Sequence, residues 1–109
     1  MPWTVLPTGL APGGFESISV GSTAAGLSET AYKPASGRYA GREAQAAFLT
    51  IEDGDVRWRQ DGSDPTAAVG HYLIAGKSLL LQGAQAIYQF RAICATGISR
   101  AVMRATYLF

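Results

Sequence analysis

The stretch Val56-Arg57-Trp58-Arg59-Gln60-Asp61-Gly62-Ser63-Asp64-Pro65-Thr66-Ala67-Ala68-Val69-Gly70-His71-Tyr72-Leu73 decides the fold class. Val56–Gln60 alternates: Val56, Trp58 and Gln60 share one face, Arg57 and Arg59 the other, which is the period of a strand. Asp61–Thr66 is a turn cluster. Gly62 supplies positive φ, Asp64 can bond its own backbone, and Pro65 presets its φ. His71–Ala75 then resumes an apolar run. A strand, a dense turn and another strand within 20 residues point to β structure.

The same punctuation continues in both directions. Downstream, Gly76-Lys77 separates His71–Ala75 from a strand at Ser78–Gln82. Thr96-Gly97 separates strands at Ile87–Ala95 and Ala101–Phe109. Upstream, Ala44–Glu52 ends in Phe-Leu-Thr-Ile-Glu and is expected to be a strand with Ala47, Leu49 and Ile51 inward and Phe48 outward; a short helix over 41–49 is the alternative. Glu52-Asp53-Gly54-Asp55 is an expected tight turn. Phe15–Val20 alternates with Ile18 and Val20 on one side and Phe15, Ser17 and Ser19 on the other. Residues 21–43 are rich in Gly, Ser, Thr and Ala and are expected to be loops with at most one short strand. The sum is an all-β domain over 15–109: a sandwich of about seven short strands.

Residues 1–14 differ. Pro2, Pro7 and Pro12 with Gly9, Gly13 and Gly14 exclude a regular helix or central strand. Yet Trp3, Val5, Leu6 and Leu10 are apolar, whereas a disordered tail is polar. The expectation is an extended N-terminal arm that lays apolar side chains on a neighbouring chain or over an edge of its own sandwich.

Composition sharpens the functional expectation. Only 16% of the 109 residues are charged while 48% are hydrophobic, and soluble domains carry about 25% charge. Low charge with high apolar content favours contacts with other chains. A net charge of +1 gives no electrostatic case for nucleic acid. No apolar run reaches the 18 or so residues of a membrane span, and the N-terminus lacks the basic start of a signal peptide. A cytoplasmic origin is expected. Cys94 is the one cysteine, so no internal disulfide forms, and in an apolar run it reads as a small buried hydrophobe.

Active-site patterns are absent by spacing. Cys94 and His71 are the sole pair for a thiol dyad, and no spacing joins them. His71 has no GxSxG elbow to serve, and no phosphate-binding glycine motif occurs. The acids Glu52, Asp53, Asp55, Asp61 and Asp64 lie in turns without EF-hand spacing, where Asp ordinarily caps its own backbone. No catalytic, cofactor or metal residue is expected. If Phe90 and Ala92 point inward, Ile87, Gln89, Arg91 and Ile93 point outward. With Phe48 and the arm residues Trp3, Val5, Leu6 and Leu10, the residues Ile87, Arg91 and Ile93 form the expected interface set.

The segment 55–108 resembles the C-terminal immunoglobulin-like domain of chitobiases and β-hexosaminidases. The similarity rests on Arg57-Trp58-Arg59, the Asp61-Gly62-Ser63-Asp64-Pro65-Thr66 turn, Tyr72, Phe90-Arg91-Ala92 and Tyr107, with Trp58 where that family usually has tyrosine. It implies an Ig-like Greek-key sandwich with no catalytic residue. The whole chain is also similar to short virion proteins of tailed bacteriophages, of the capsid-decoration, head–tail connector or collar kind. That likeness implies a homo-oligomer that also contacts capsid or connector subunits, without nucleic acid or membrane, located in the virion. A carbohydrate-binding Ig-like module is the alternative, and a spacer domain a third.

Overall fold

The computed structural model describes residues 9–109. Eight strands and two short helices follow in the order β1 (Pro12–Val20), β2 (Ala25–Gly26), α1 (Glu29–Tyr32), β3 (Ala46–Glu52), β4 (Val56–Arg59), β5 (His71–Leu73), β6 (Ser78–Gln82), α2 (Ala84–Gln89), β7 (Arg91–Cys94) and β8 (Ala101–Leu108). They build two four-stranded antiparallel sheets. The first, here the long sheet, runs β1-β8-β3-β6; the second, the short sheet, runs β2-β7-β4-β5. The chain is therefore mostly β, a sandwich of two sheets.

The pairing has a simple rule. β1 pairs with β8, β2 with β7, β3 with β6 and β4 with β5. These pairs nest like the two arms of one long hairpin rolled up on itself, the order of a jelly roll. An immunoglobulin-type sandwich instead places its last strand beside the strand before it. Here β8 sits between β1 and β3, and β7 lies in the other sheet. The strand order thus departs from the one that the 55–108 likeness implies. The likeness rests on a turn and short local motifs, and local motifs do not dictate which strands pair at long range.

Alternation drives the packing. On β8 Ala101, Met103, Ala105 and Tyr107 are fully buried, and on β3 Ala47, Leu49 and Ile51 meet them. From the short sheet Val56, Ala92 and Cys94 face the same core. Trp58 stacks on Phe90 at 5.8 Å between ring centroids, against the core. Ala47, Ala92, Ala101 and Ala105 leave room for Phe90, Tyr107, Met103 and Leu49, so large and small residues interlock across the layers.

The expected strand over 87–95 is two elements. Ala84–Gln89 is helical, and only Arg91–Cys94 is a strand. Gly83, at φ 101°, ends β6, and the helix formers Ala84, Gln85 and Ala86 follow. Ile87 consequently turns into the core at 1% exposure. The parity of Phe90, Ala92 and Cys94 inward with Arg91 and Ile93 outward holds. Residues 29–32, within the expected loop region, form a helical turn. β1 starts at Pro12, inside the stretch expected to be arm. A proline is tolerated there because β1 is an edge strand, and the register slips between Pro12 and Gly14. A Cβ on Gly13 would lie 2.5 Å from the Tyr39 ring and 2.7 Å from Phe109; those two rings stack at 4.7 Å.

The Asp53-Gly54 turn is not a hairpin. It carries the chain from the long sheet to the short one. Asp53, not Gly54, takes positive φ, at 69°, which aspartate tolerates. Gly54 is needed for space, because a Cβ there would meet Arg100 O and the Ile98 side chain, each at 2.5 Å.

Candidate interaction surface

Each sheet has an outer face, and the register fixes what each presents. On the long sheet Phe15 lies opposite Thr106, Thr106 opposite Phe48, and Phe48 opposite Leu80. These four residues form one row across all four strands, on the side away from the core. Phe15 is 63% exposed; Phe48, Leu80 and Thr106 are half-buried. The neighbouring row is polar: Ser17, Arg104, Thr50 and Ser78. Arg104 spans it, donating to Ser17 Oγ at 2.7 Å and to Glu52 Oε1 at 2.8 Å. An apolar stripe flanked by a fixed polar network is the anatomy of a contact patch.

The short sheet is different because the chain covers part of its own outer face, over β7. The loop 61–70 starts with Arg59 paired to Asp61 and with Asp61 Oδ1 accepting Ser63 N–H. Gly62 sits at φ 90°. Asp64 does not bond its own backbone as expected but pairs with Arg91, 3.9 Å away. Pro65 is buried. Thr66 Oγ1 accepts the N–H groups of Ala68 and Val69. Ala67 O accepts both the N–H and the hydroxyl of Thr96 at 3.0 Å. Gly70 O accepts from Arg57 Nη1 at 3.1 Å. The loop therefore runs over the outer face from Arg91 to Thr96, the span of β7 that holds Ile93.

The interface residues expected from sequence divide accordingly. Phe48 lies in the exposed row of the long sheet. Arg91 and Ile93 lie on the outer face of the short sheet, where Arg91 pairs with Asp64 of the chain's own loop. Ile87 is core, not interface. Leu10 is half-buried beside Ala11, which exchanges two backbone hydrogen bonds with Phe109. Trp3, Val5 and Leu6 lie outside the described residues. Sequence reading missed Phe15, Thr106 and Leu80 as members of the row. Alternation places Phe15 on the outer side of its strand, but only the register shows that it aligns with Phe48.

The groups considered for chemistry are separated. Cys94 Sγ donates to Val20 O at 3.1 Å, and burial pushes its thiol above the ordinary value. His71 lies on β5 and packs on Trp58 at 4.7 Å. Cys94 is on β7, with β4 between them. Asp55 accepts from Ala75 N–H at 2.9 Å and from the Tyr72 hydroxyl, which hold its carboxyl below its usual value. Asp53 pairs with Arg100 and Glu52 with Arg104. Among the described residues no group of three or more His, Cys, Asp or Glu stands close enough to hold a metal, and no helix is long and apolar enough to cross a membrane. Trp58 and Tyr72 occupy opposite faces of the short sheet: Trp58 packs against the core, while Tyr72 stands outward with the Arg57 guanidinium 4.7 Å from its ring centroid.

No protein-family model, curated protein or solved structure matches the chain.

Proposed function

We propose that this protein is a non-enzymatic structural subunit of a tailed-bacteriophage virion, of the capsid-decoration, head–tail connector or collar kind, working through contacts repeated between subunits. The observation that carries this reading is the Phe15–Thr106–Phe48–Leu80 row. It lies on the outer face of a rigid sheet, and Phe15 is mostly in water. Covering apolar surface yields about 25 cal/mol per Å², so a neighbour gains by seating there. Symmetry multiplies each such contact around a ring or over a shell.

The low charge of the chain and the nested strand order support the same reading. Jelly-roll sandwiches occur in viral capsid and lectin domains, and strand order alone does not choose between them. The N-terminal arm, with Trp3, Val5 and Leu6, extends the contact to a second subunit in this reading. The partners are other copies of the chain and capsid or connector proteins.

The test is composition of purified particles. Virions produced from the genome that encodes this chain are banded by density and analysed by quantitative mass spectrometry. The expected result is the intact chain at a fixed multiple of six or twelve copies per particle, the multiples that closed capsid and connector symmetry allows. Particles that lack the chain and remain infectious overturn the proposal.

A further inference from the structure

The strands at the ends of the two sheets, β1, β6, β2 and β5, are unequally protected. An open strand edge offers its N–H and C=O groups to other chains, and proteins blunt it with proline, irregular register, inward charge or brevity. β1 begins at Pro12, slips register before Gly14 and turns the charge of Glu16 inward to Tyr107. β2 is two residues long and β5 three. β6 is Ser78-Leu79-Leu80-Leu81-Gln82, in unbroken register with β3 and without proline or charge. Among the described residues it is the one sheet edge with no such device.

Register decides which backbone groups of β6 face outward. Ile51 N–H donates to Lys77 O, and Gly83 N–H donates to Gln45 O. Backbone groups alternate sides along a strand. Leu79 and Leu81 therefore turn theirs to β3, and Leu80 turns its N–H and C=O to the open edge. Leu80 is the middle residue of β6 and the last member of the Phe15–Thr106–Phe48–Leu80 row. We propose that β6 pairs antiparallel with β6 of a second copy of this chain, about a twofold axis at Leu80.

The pair is self-complementary, as a twofold contact must be. Leu80 exchanges two backbone hydrogen bonds with the partner's Leu80. Leu79 stands opposite the partner's Leu81. No charge meets its like across the axis, and the two long sheets become one of eight strands. On the outer face the two apolar rows join end to end at Leu80. On the inner face the half-buried Leu79 gains a leucine beside it. The contact is small, since a five-residue edge buries well below the roughly 1,200–2,000 Å² of a stable interface. The edge therefore holds two copies together only when the outer-face contact is also made. In that respect the inference rests on the proposed function, while its geometry is set by β6.

The experiment is disulfide trapping. Full-length Leu79→Cys and Leu81→Cys chains, one of them ¹⁵N-labelled and both verified as folded, are mixed and oxidised at high concentration, and the products are mapped by mass spectrometry. Opposed residues of a non-hydrogen-bonded pair lie about 4.5 Å apart at Cα, within disulfide range. A mixed 79–81 dimer is expected, while Cys94, buried on the short sheet, stays free. Lys77→Cys, which faces the partner's Gly83 in this pairing, is expected to give no dimer with itself. Folded chains that yield no 79–81 dimer overturn the proposal, even where Leu80→Cys links to itself, because an outer-face contact alone can bring those two side chains together. The wild type supplies a second reading that needs no variant in the core: exchange of the Leu80 amide is expected to slow as concentration rises. Protection of that amide that is the same at every concentration shows that the chain covers its own edge, and overturns the proposal. Adding Phe15→Glu separates the two contacts. The 79–81 dimer is expected at lower yield, and an unchanged yield upholds the edge pair while removing the outer-face contact.

Discussion

The Tyr107 phenol, on the fully buried side of β8, donates a hydrogen bond of 2.5 Å to Glu16 Oε2 on β1. The same carboxylate oxygen accepts the Ser28 N–H at 3.1 Å. One acidic side chain thus ties the last strand to the first and to the start of α1, across the pair that closes the nested order. A carboxylate facing inward is stable only when hydrogen-bonded, so Glu16 and Tyr107 depend on each other.

Removing that hydroxyl has a signature in pH. Burial, and then Glu16, raises the Tyr107 phenol well above its ordinary value of 10.0. The folded state therefore holds this proton more tightly than the unfolded chain. Its contribution is complete below pH 10 and is lost as pH rises further. Tyr107→Phe is expected to lose about 1–2 kcal/mol at pH 7 and to show a flatter fall in stability above pH 10. Urea unfolding across that range checks it. Tyr32 and Tyr72 shift the same way and contribute to the slope that remains.

The loop over the short sheet depends on Gly70. Its φ is 138°, and a Cβ there would lie 3.1 Å from Pro65 Cβ and from Trp58 O. Gly70→Ala is expected to cost about 1–3 kcal/mol. Gly21 lies outside the left-handed region and has open space around it. Gly21→Ala is expected to be neutral, or to gain about 0.4–1 kcal/mol through the unfolded chain. Equal effects in thermal unfolding would contradict the assignment of Gly70.

Asp55 sets an acid limb. Its bond from Ala75 N–H, and then that from Tyr72, hold its pKa below the ordinary 3.8. A depressed acid stabilises the fold above the unfolded value, and the contribution is lost as pH falls through the folded one. Asp55→Asn is expected to melt below wild type at pH 7, with the gap closing as pH falls below about 4. A gap that is the same at both ends would show that charge is not the cause.

Much of this was legible in the residues. Alternation placed Ala47, Leu49, Ile51, Val56 and Trp58 inward, and glycine placed the turns at Gly62, Gly76 and Gly97, all at positive φ. Two kinds of information were not. Whether Ala84–Gln89 is strand or helix depends on six residues whose apolar pattern suits both periods. Which strands pair is a long-range property: Phe15 and Thr106 are 91 positions apart, and only the register brings them together. The row they share with Phe48 and Leu80 could not be seen in any local window. The loop 61–70 looked like a short turn, yet it reaches Thr96 because Thr66 and Ala67 continue it along β7.

The polar row beside the apolar one contributes little by itself. Arg104 and Glu52 are both half in water, and such pairs are worth about 0.2–1 kcal/mol. Glu52→Gln is expected to leave unfolding within that range while the Arg104–Ser17 bond persists. A loss several times larger in chemical denaturation would make this row a structural element rather than the rim of a patch.

In the proposed function, other chains cover the long sheet's outer row. It is tested most directly by native mass spectrometry and sedimentation of the full chain, beside Phe15→Glu and the Phe15→Ser/Phe48→Ser double variant, each verified as folded by circular dichroism. A discrete symmetric oligomer is expected for the wild type and monomers for both variants. A wild type that stays monomeric at all concentrations, or variants that assemble as it does, would contradict it.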